Sequence, residues 1–211
     1  MYEKLWSLRK QLQYSHNLIH CITNPISMND CANAVLALGA KPIMAQHPME
    51  CEQITVCSKA LALNLGNFDD NRSIAMKKSL HCANENGIPV IIDLVGVGCS
   101  ELRKTFAEEL LQKGRFSIIK GNLSELKAIS GRDSHALGID VGDGDREAAA
   151  FLSVTENSLD AALAACLTFE LAAEKSVSIA DGPGSFHASL FDSLYGMDEL
   201  DFAKAKVRRG L

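Results

Sequence analysis

Short apolar runs alternate with amphipathic segments along most of the chain. Leu5, Leu8 and Leu12 recur at helical spacing, and an apolar strand over 17–21 runs into the polar turn Thr23-Asn24-Pro25. Met28, Cys31, Val35 and Leu38 predict an amphipathic helix over 27–38, stopped by Gly39 and followed by a strand over 41–45. The unit recurs with a helix near 50–58, a strand over 60–65, the turn Gly66-Asn67 and a helix over about 69–86. Gly87 closes that helix, and Pro89 introduces a strand over 90–92. A helix from 100 to about 112 follows, and 116–119 reads as a short buried strand. Val/Ile/Leu-rich strands alternating with helices imply a mostly parallel sheet with helices on both faces, so the expected fold class is α/β.

Beyond Ile129 the rhythm breaks. Residues 131–145 are rich in Gly and Asp without a periodic apolar face, which predicts a loop. Residues 148–152 and an Ala-rich helix over 159–174 come next. Gly182-Pro183-Gly184-Ser185 then opens a last helix through Leu190, Phe191 and Leu194. No strand is expected between Ile129 and this helical tail, an abrupt end for a doubly wound arrangement. With 211 residues and no linker-like stretch, one domain over 1–211 is expected.

Composition narrows the function. A net charge of −5 and a pI near 5.7 argue against a nucleic-acid binder, and the basic stretch 204–209 reads as a solvated tail. No apolar stretch is long enough to span a bilayer, and residues 1–10 mix charges instead of forming a signal region, so a cytoplasmic protein is expected. Seven cysteines (Cys21, Cys31, Cys51, Cys57, Cys82, Cys99 and Cys166) are dispersed, with no C-x-x-C pair. They read as reduced thiols, several packed as small apolar residues, and the six histidines form no ligand cluster.

Candidate chemistry gathers where strands end, the place where open α/β sheets bind ligands. Lys120-Gly121-Asn122 leads from a strand to Glu125, a cation, an amide and a carboxylate suited to phosphate and Mg²⁺ or simply to a capping box. Asp93 follows Val90-Ile91-Ile92 and precedes Val95-Gly96-Val97-Gly98. It suits a magnesium held through water, or a turn bonding its own backbone. Asp93 and Glu125 end neighbouring βα units, so a shared site is geometrically reasonable. The segment 21–27 reads equally as a ligand loop or as a helix start whose entry Pro25 sets. Met44, at another strand end, reads as core filler or ligand contact.

Together these segments resemble the hydroxyethylthiazole kinase family of thiamine thiazole salvage. The resemblance runs through His20-Cys-Ile-Thr-Asn-Pro-Ile-Ser-Met-Asn-Asp-Cys-Ala-Asn33, Leu38-Gly-Ala-Lys-Pro-Ile-Met-Ala45, Leu63-Asn-Leu-Gly-Asn67, 93–98 and 119–125. It resumes over 161–175 and at Gly182-Pro-Gly-Ser-Phe186. It implies a ribokinase-like fold and ATP-dependent phosphorylation of 4-methyl-5-(2-hydroxyethyl)thiazole, in a homotrimer with the thiazole between subunits. By position, Asn24 and Met44 would contact the thiazole, with Gly66 and Asn67 nearby. Lys120, where the family usually has Arg, and Asn122 would bind ATP, and Asp93 and Glu125 would organise Mg²⁺.

The chain departs from the family pattern in two places. Leu94 stands where the family usually has Pro, which predicts a looser turn after Asp93. Between about 138 and 150 an internal segment of the family pattern is missing, including a Gly-Thr-Gly-Cys turn that supplies the phosphoryl anion hole and the cysteine regarded as base. No catalytic residue is therefore assigned. Cys166 reads as packing inside a helix face, and a bare sheet edge is expected where strands are lost. The alternative to an active kinase is an inactive thiazole-binding or trimer-forming subunit.

Overall fold

Strand residues alternate between two apolar layers, and this period of two organises the molecule. In the computed structural model, which describes residues 1–67, 69–131 and 145–205, the chain runs α1 (Tyr2–Ser15), β1 (Leu18–Ile22), α2 (Met28–Ala37), β2 (Lys41–Ile43), α3 (Cys51–Cys57), β3 (Ala60–Asn64) and α4 (Asp70–Glu85). It continues with β4 (Val90–Asp93), α5 (Glu101–Lys113), β5 (Ile118–Lys120) and α6 (Leu123–Ile129). The helices α7 (Asp145–Leu152), α8 (Ser158–Val177), α9 (Pro183–Tyr195) and α10 (Glu199–Lys204) complete it. All strand pairings are parallel, in the order β2-β1-β3-β4-β5. The expected α/β class and the neighbouring parallel strands are observed.

One face of the sheet presents Ile19, Cys21, Ala60, Ala62 and Ile91 to α1, α2, α7, α8 and α9. The small side chains Ala60 and Ala62 meet Ala148, Ala149 and Ala150, so α7 lies directly against the sheet. The other face presents Ile22, Leu61, Leu63, Val90 and Ile92 to residues of α3, α4, α5 and α6. Strand order reverses at β1, with β2 on one side of it and β3, reached by a crossover from β2, on the other; in open α/β sheets such a reversal marks the carboxyl ends of the strands as the place for a ligand.

Three expectations change. The strand over 116–119 is not a buried one: β5 ends the sheet among the described residues, and Ile119 is 48% exposed because no strand lies beyond it there. Leu123 and Leu126 beside it are exposed too. Cys166, expected to be packed, is exposed on α8, as are Cys57 and Cys99, whereas Cys21, Cys31 and Cys51 are buried. A short helix, α10, precedes the basic tail and is held by a capping box from Asp198. Residues 132–144 and 206–211, on which most of the predicted loop and of the tail fall, lie outside the described residues.

Candidate functional site

Three polar residues close three adjacent strands in one row. Asn64 ends β3, Asp93 ends β4 and Lys120 ends β5, and the register sets Asn64 opposite Asp93 and Asp93 opposite Lys120. Parallel pairing therefore brings together groups that are far apart in sequence. Asp93 Oδ2 accepts from Lys120 Nζ at 2.8 Å and from Asn64 Nδ2 at 3.1 Å. The carboxylate is buried and the lysine partly exposed, so the pair compensates a charge that burial alone would penalise. Asp93 thus takes donors from side chains on both neighbouring strands.

The turn after Asp93 is tied down, not loosened. Leu94 donates its N–H to Lys120 O at 2.9 Å, a bond proline could not make, and its side chain is buried. Gly96 takes a left-handed φ of 76°, and a Cβ there would collide with the Arg103 guanidinium. Its N–H donates to Glu125 Oε1 at 2.8 Å, while Glu125 Oε2 accepts from Asn122 N at 2.9 Å. Asn122 Oδ1 accepts from Glu125 N, completing the capping box that the sequence suggested. Asp93, at the end of β4, and Glu125, in the first turn of α6, therefore flank two neighbouring turns that are hydrogen-bonded to each other. Both oxygens of Glu125 already serve backbone donors, so this donor set suits an ion held through water better than one ligated directly.

On the other side of the row lies the β1/β3 switch point. Asn24 Oδ1 accepts from Ser27 N at 3.0 Å, shaping the turn into α2, and its Nδ2 lies 3.5 Å from Asn64 Oδ1. Gly66 N donates to the same Asn64 oxygen at 2.9 Å. A Cβ on Gly66 would sit 2.9 Å from Asn64 Oδ1 and 3.0 Å from Asn24 Nδ2, so glycine is needed for this close approach. Asn67 is exposed and holds a φ of 46°. Met44, just past β2, is partly buried against the core, as the core-filler reading expects.

Sequence reasoning passed over two residues here. Asn64, the polar end of an otherwise apolar strand, joins the switch-point loops to Asp93. Arg72 is 1% exposed and donates to Asn64 O (3.1 Å), Gly66 O (3.1 Å) and Asn67 O (2.7 Å), clamping the whole turn. Burial lowers its pKa, with Asp69 opposing and Arg103 reinforcing the shift. Its signal was available: Arg72 shares the buried helix face of Ala75, Met76, Ser79, Leu80 and Ala83, an anomalous place for a cation. Cys166 offers no ready base, because desolvation around its sulfur and then Glu170 raise the thiol's pKa, although Lys120 acts in the opposite sense. No cluster of three or more His, Cys, Asp or Glu side chains able to hold a metal occurs among the described residues, and no described helix is long and apolar enough to cross a membrane.

The hydroxyethylthiazole kinase family model matches residues 9–150. Hydroxyethylthiazole kinase 2 of Clostridium botulinum (strain Langeland, type F) is 54% identical over 135 residues, covering 64% of this chain and 51% of that protein. Hydroxyethylthiazole kinase of Finegoldia magna is 46% identical over 138 residues, covering 65% and 52%. The chain spans about half the length of these relatives. The hydroxyethylthiazole kinase protein structure from Pyrococcus horikoshii OT3 superposes with a TM-score of 0.87 at 29% identity, covering 96% of this chain and 97% of that one, and the fold is accordingly ribokinase-like. With the family model matching residues 9–150 and the fold shared with a solved relative, the chain belongs to the hydroxyethylthiazole kinase family.

Proposed function

We propose that this chain transfers the terminal phosphoryl group of ATP to the primary hydroxyl of 4-methyl-5-(2-hydroxyethyl)thiazole, a cytoplasmic step of thiamine thiazole salvage. The observation that carries the reading is the row Asn64, Asp93, Lys120 beside the polar loops at the β1/β3 switch point. Phosphoryl transfer asks chiefly for alignment and for neutralisation of phosphate charge. Asn24, Met44, Gly66 and Asn67 form the alcohol's half of the site, and Lys120 with Asn122 the nucleotide's half. A polyphosphate competes with Asp93 for the Lys120 ammonium, so nucleotide binding is coupled to release of that carboxylate. Asp93 and Glu125 would hold Mg²⁺, and the ion, when bound, would supply charge neutralisation at the phosphates.

The proposed assembly is a homotrimer with Asn24 and Met44 near a subunit boundary. In support, Ile26 and Met49, in the same two loops, are each 83% exposed. The single domain over 1–211 is read as an internally shortened version of the family pattern. The chain contains no Gly-Thr-Gly-Cys run, and β5 leaves Ile119, Leu123 and Leu126 exposed. Loss of the anion hole makes turnover slow. Calorimetric titration of the purified chain with the thiazole alcohol, beside a coupled ADP-release assay, tests both points. Binding with ADP release supports the kinase reading, binding without it identifies a thiazole-binding subunit, and absence of binding overturns both.

A further inference from the structure

We infer that His20 is a positioning residue that tethers the Met44 segment and thereby sets the shape of the alcohol's pocket; this deepens the proposed function and rests on it. His20 lies within β1, fully buried, on the side of the sheet that faces α3. Its Nε2 is 2.7 Å from Ala45 O, and its Nδ1 is 2.9 Å from Thr55 Oγ1. A carbonyl only accepts, so Nε2 carries the proton and donates to Ala45 O. The Thr55 hydroxyl also lies 2.8 Å from Cys51 O and has one hydrogen to place. Burial lowers the pKa of His20, against smaller opposing effects of the Ala45 bond and Glu50, so the neutral ring prevails and the hydroxyl turns to Nδ1.

The tether matters because, apart from the packing of the Met44 side chain against the core, little else holds the segment. Beyond Ile43 the chain leaves the sheet, and residues 44–46 belong to neither helix nor strand. Among the described residues, the backbone of 44–46 makes one hydrogen bond, the one from His20. Gln46 Oε1 is buried there without a partner, so this side chain's oxygen does not anchor the segment. Downstream, the chain is fixed again where Glu50 N and Cys51 N donate to His47 O. Met44 therefore sits one residue from the single polar anchor of its segment.

Two variants separate this role from mere support of the core. In His20→Gln the longer amide reaches the Nε2 position and keeps the Ala45 bond, whereas in His20→Asn the shorter amide reaches Thr55 only. Each would be compared with the unaltered chain by methyl spectra of labelled methionine, with buried Met76 as internal reference, and by titration with the thiazole alcohol and with ATP. The expected result is a Met44 methyl signal moved toward the free-methionine position in His20→Asn, with alcohol affinity about tenfold weaker. His20→Gln stays within roughly twofold, and ATP affinity is unchanged in both. An unmoved Met44 signal in His20→Asn overturns the tether. Movement of Met44 and Met76 together, with equal losses for both ligands, overturns a specific positioning role. An unaltered chain with an ordered Met44 that binds no alcohol overturns the functional reading and the pocket-shaping role with it.

Discussion

Replacing Arg72 by methionine tests the link between core and site most directly. The substitution keeps an unbranched apolar stem of similar reach and removes the guanidinium that binds the carbonyls of Asn64, Gly66 and Asn67 at 3.1, 3.1 and 2.7 Å. Removing the charge also removes its own desolvation cost, so the net loss comes from three carbonyls left short of a donor. At roughly 1 kcal/mol for each acceptor, the expected destabilisation is about 2–4 kcal/mol. For a chain of this size that lowers the melting temperature by roughly 5–12 °C. The turn also relaxes, because Asn67 holds a left-handed φ of 46° that the clamp sustains. On the proposed function, alcohol affinity should then fall while ATP affinity, which that proposal assigns to Lys120 across the row, holds. Arg72→Lys offers a single ammonium in place of a planar fork and recovers less than half of the loss. Thermal and urea unfolding with paired titrations measure this, and a destabilisation below about 0.5 kcal/mol would refute the clamp.

Two further outcomes are expected. Because burial depresses the His20 pKa below its ordinary 6.5, the unfolded chain binds more protons than the folded one on the acid side of that value, so stability falls as pH drops below 6.5. His20→Gln should flatten this dependence in melts taken between about pH 5 and 7.5, and an unchanged slope would place the titration elsewhere. Glu125→Ala removes acceptors from Gly96 N and Asn122 N and should cost roughly 2–3 kcal/mol, and Glu125→Gln, which keeps one acceptor oxygen, clearly less; equal losses in chemical denaturation would contradict the two-bond account.

Much of the molecule follows from local pattern. The strands are short apolar runs flanked by Gly, Pro and polar turns, and their helices carry buried faces and caps such as Asn122 with Glu125, signals that lie within a few residues of one another. Asn24, Met44, Gly66, Asn67, Asp93, Lys120 and Asn122 were legible as strand-end or loop residues, and Glu125 as the capping partner in a helix's first turn, for the same reason. Partnership was not legible, because it depends on which strands lie side by side. Only the order β2-β1-β3-β4-β5 places Lys120 on Asp93 and Asn64 between Asp93 and Asn24. The burial of His20, and the exposure of Ile119 and Cys166, were decided at the same level. A side chain's environment is set by neighbours from distant segments, so a lysine that reads locally as a phosphate ligand is also, in the folded chain, the counter-ion of a buried carboxylate.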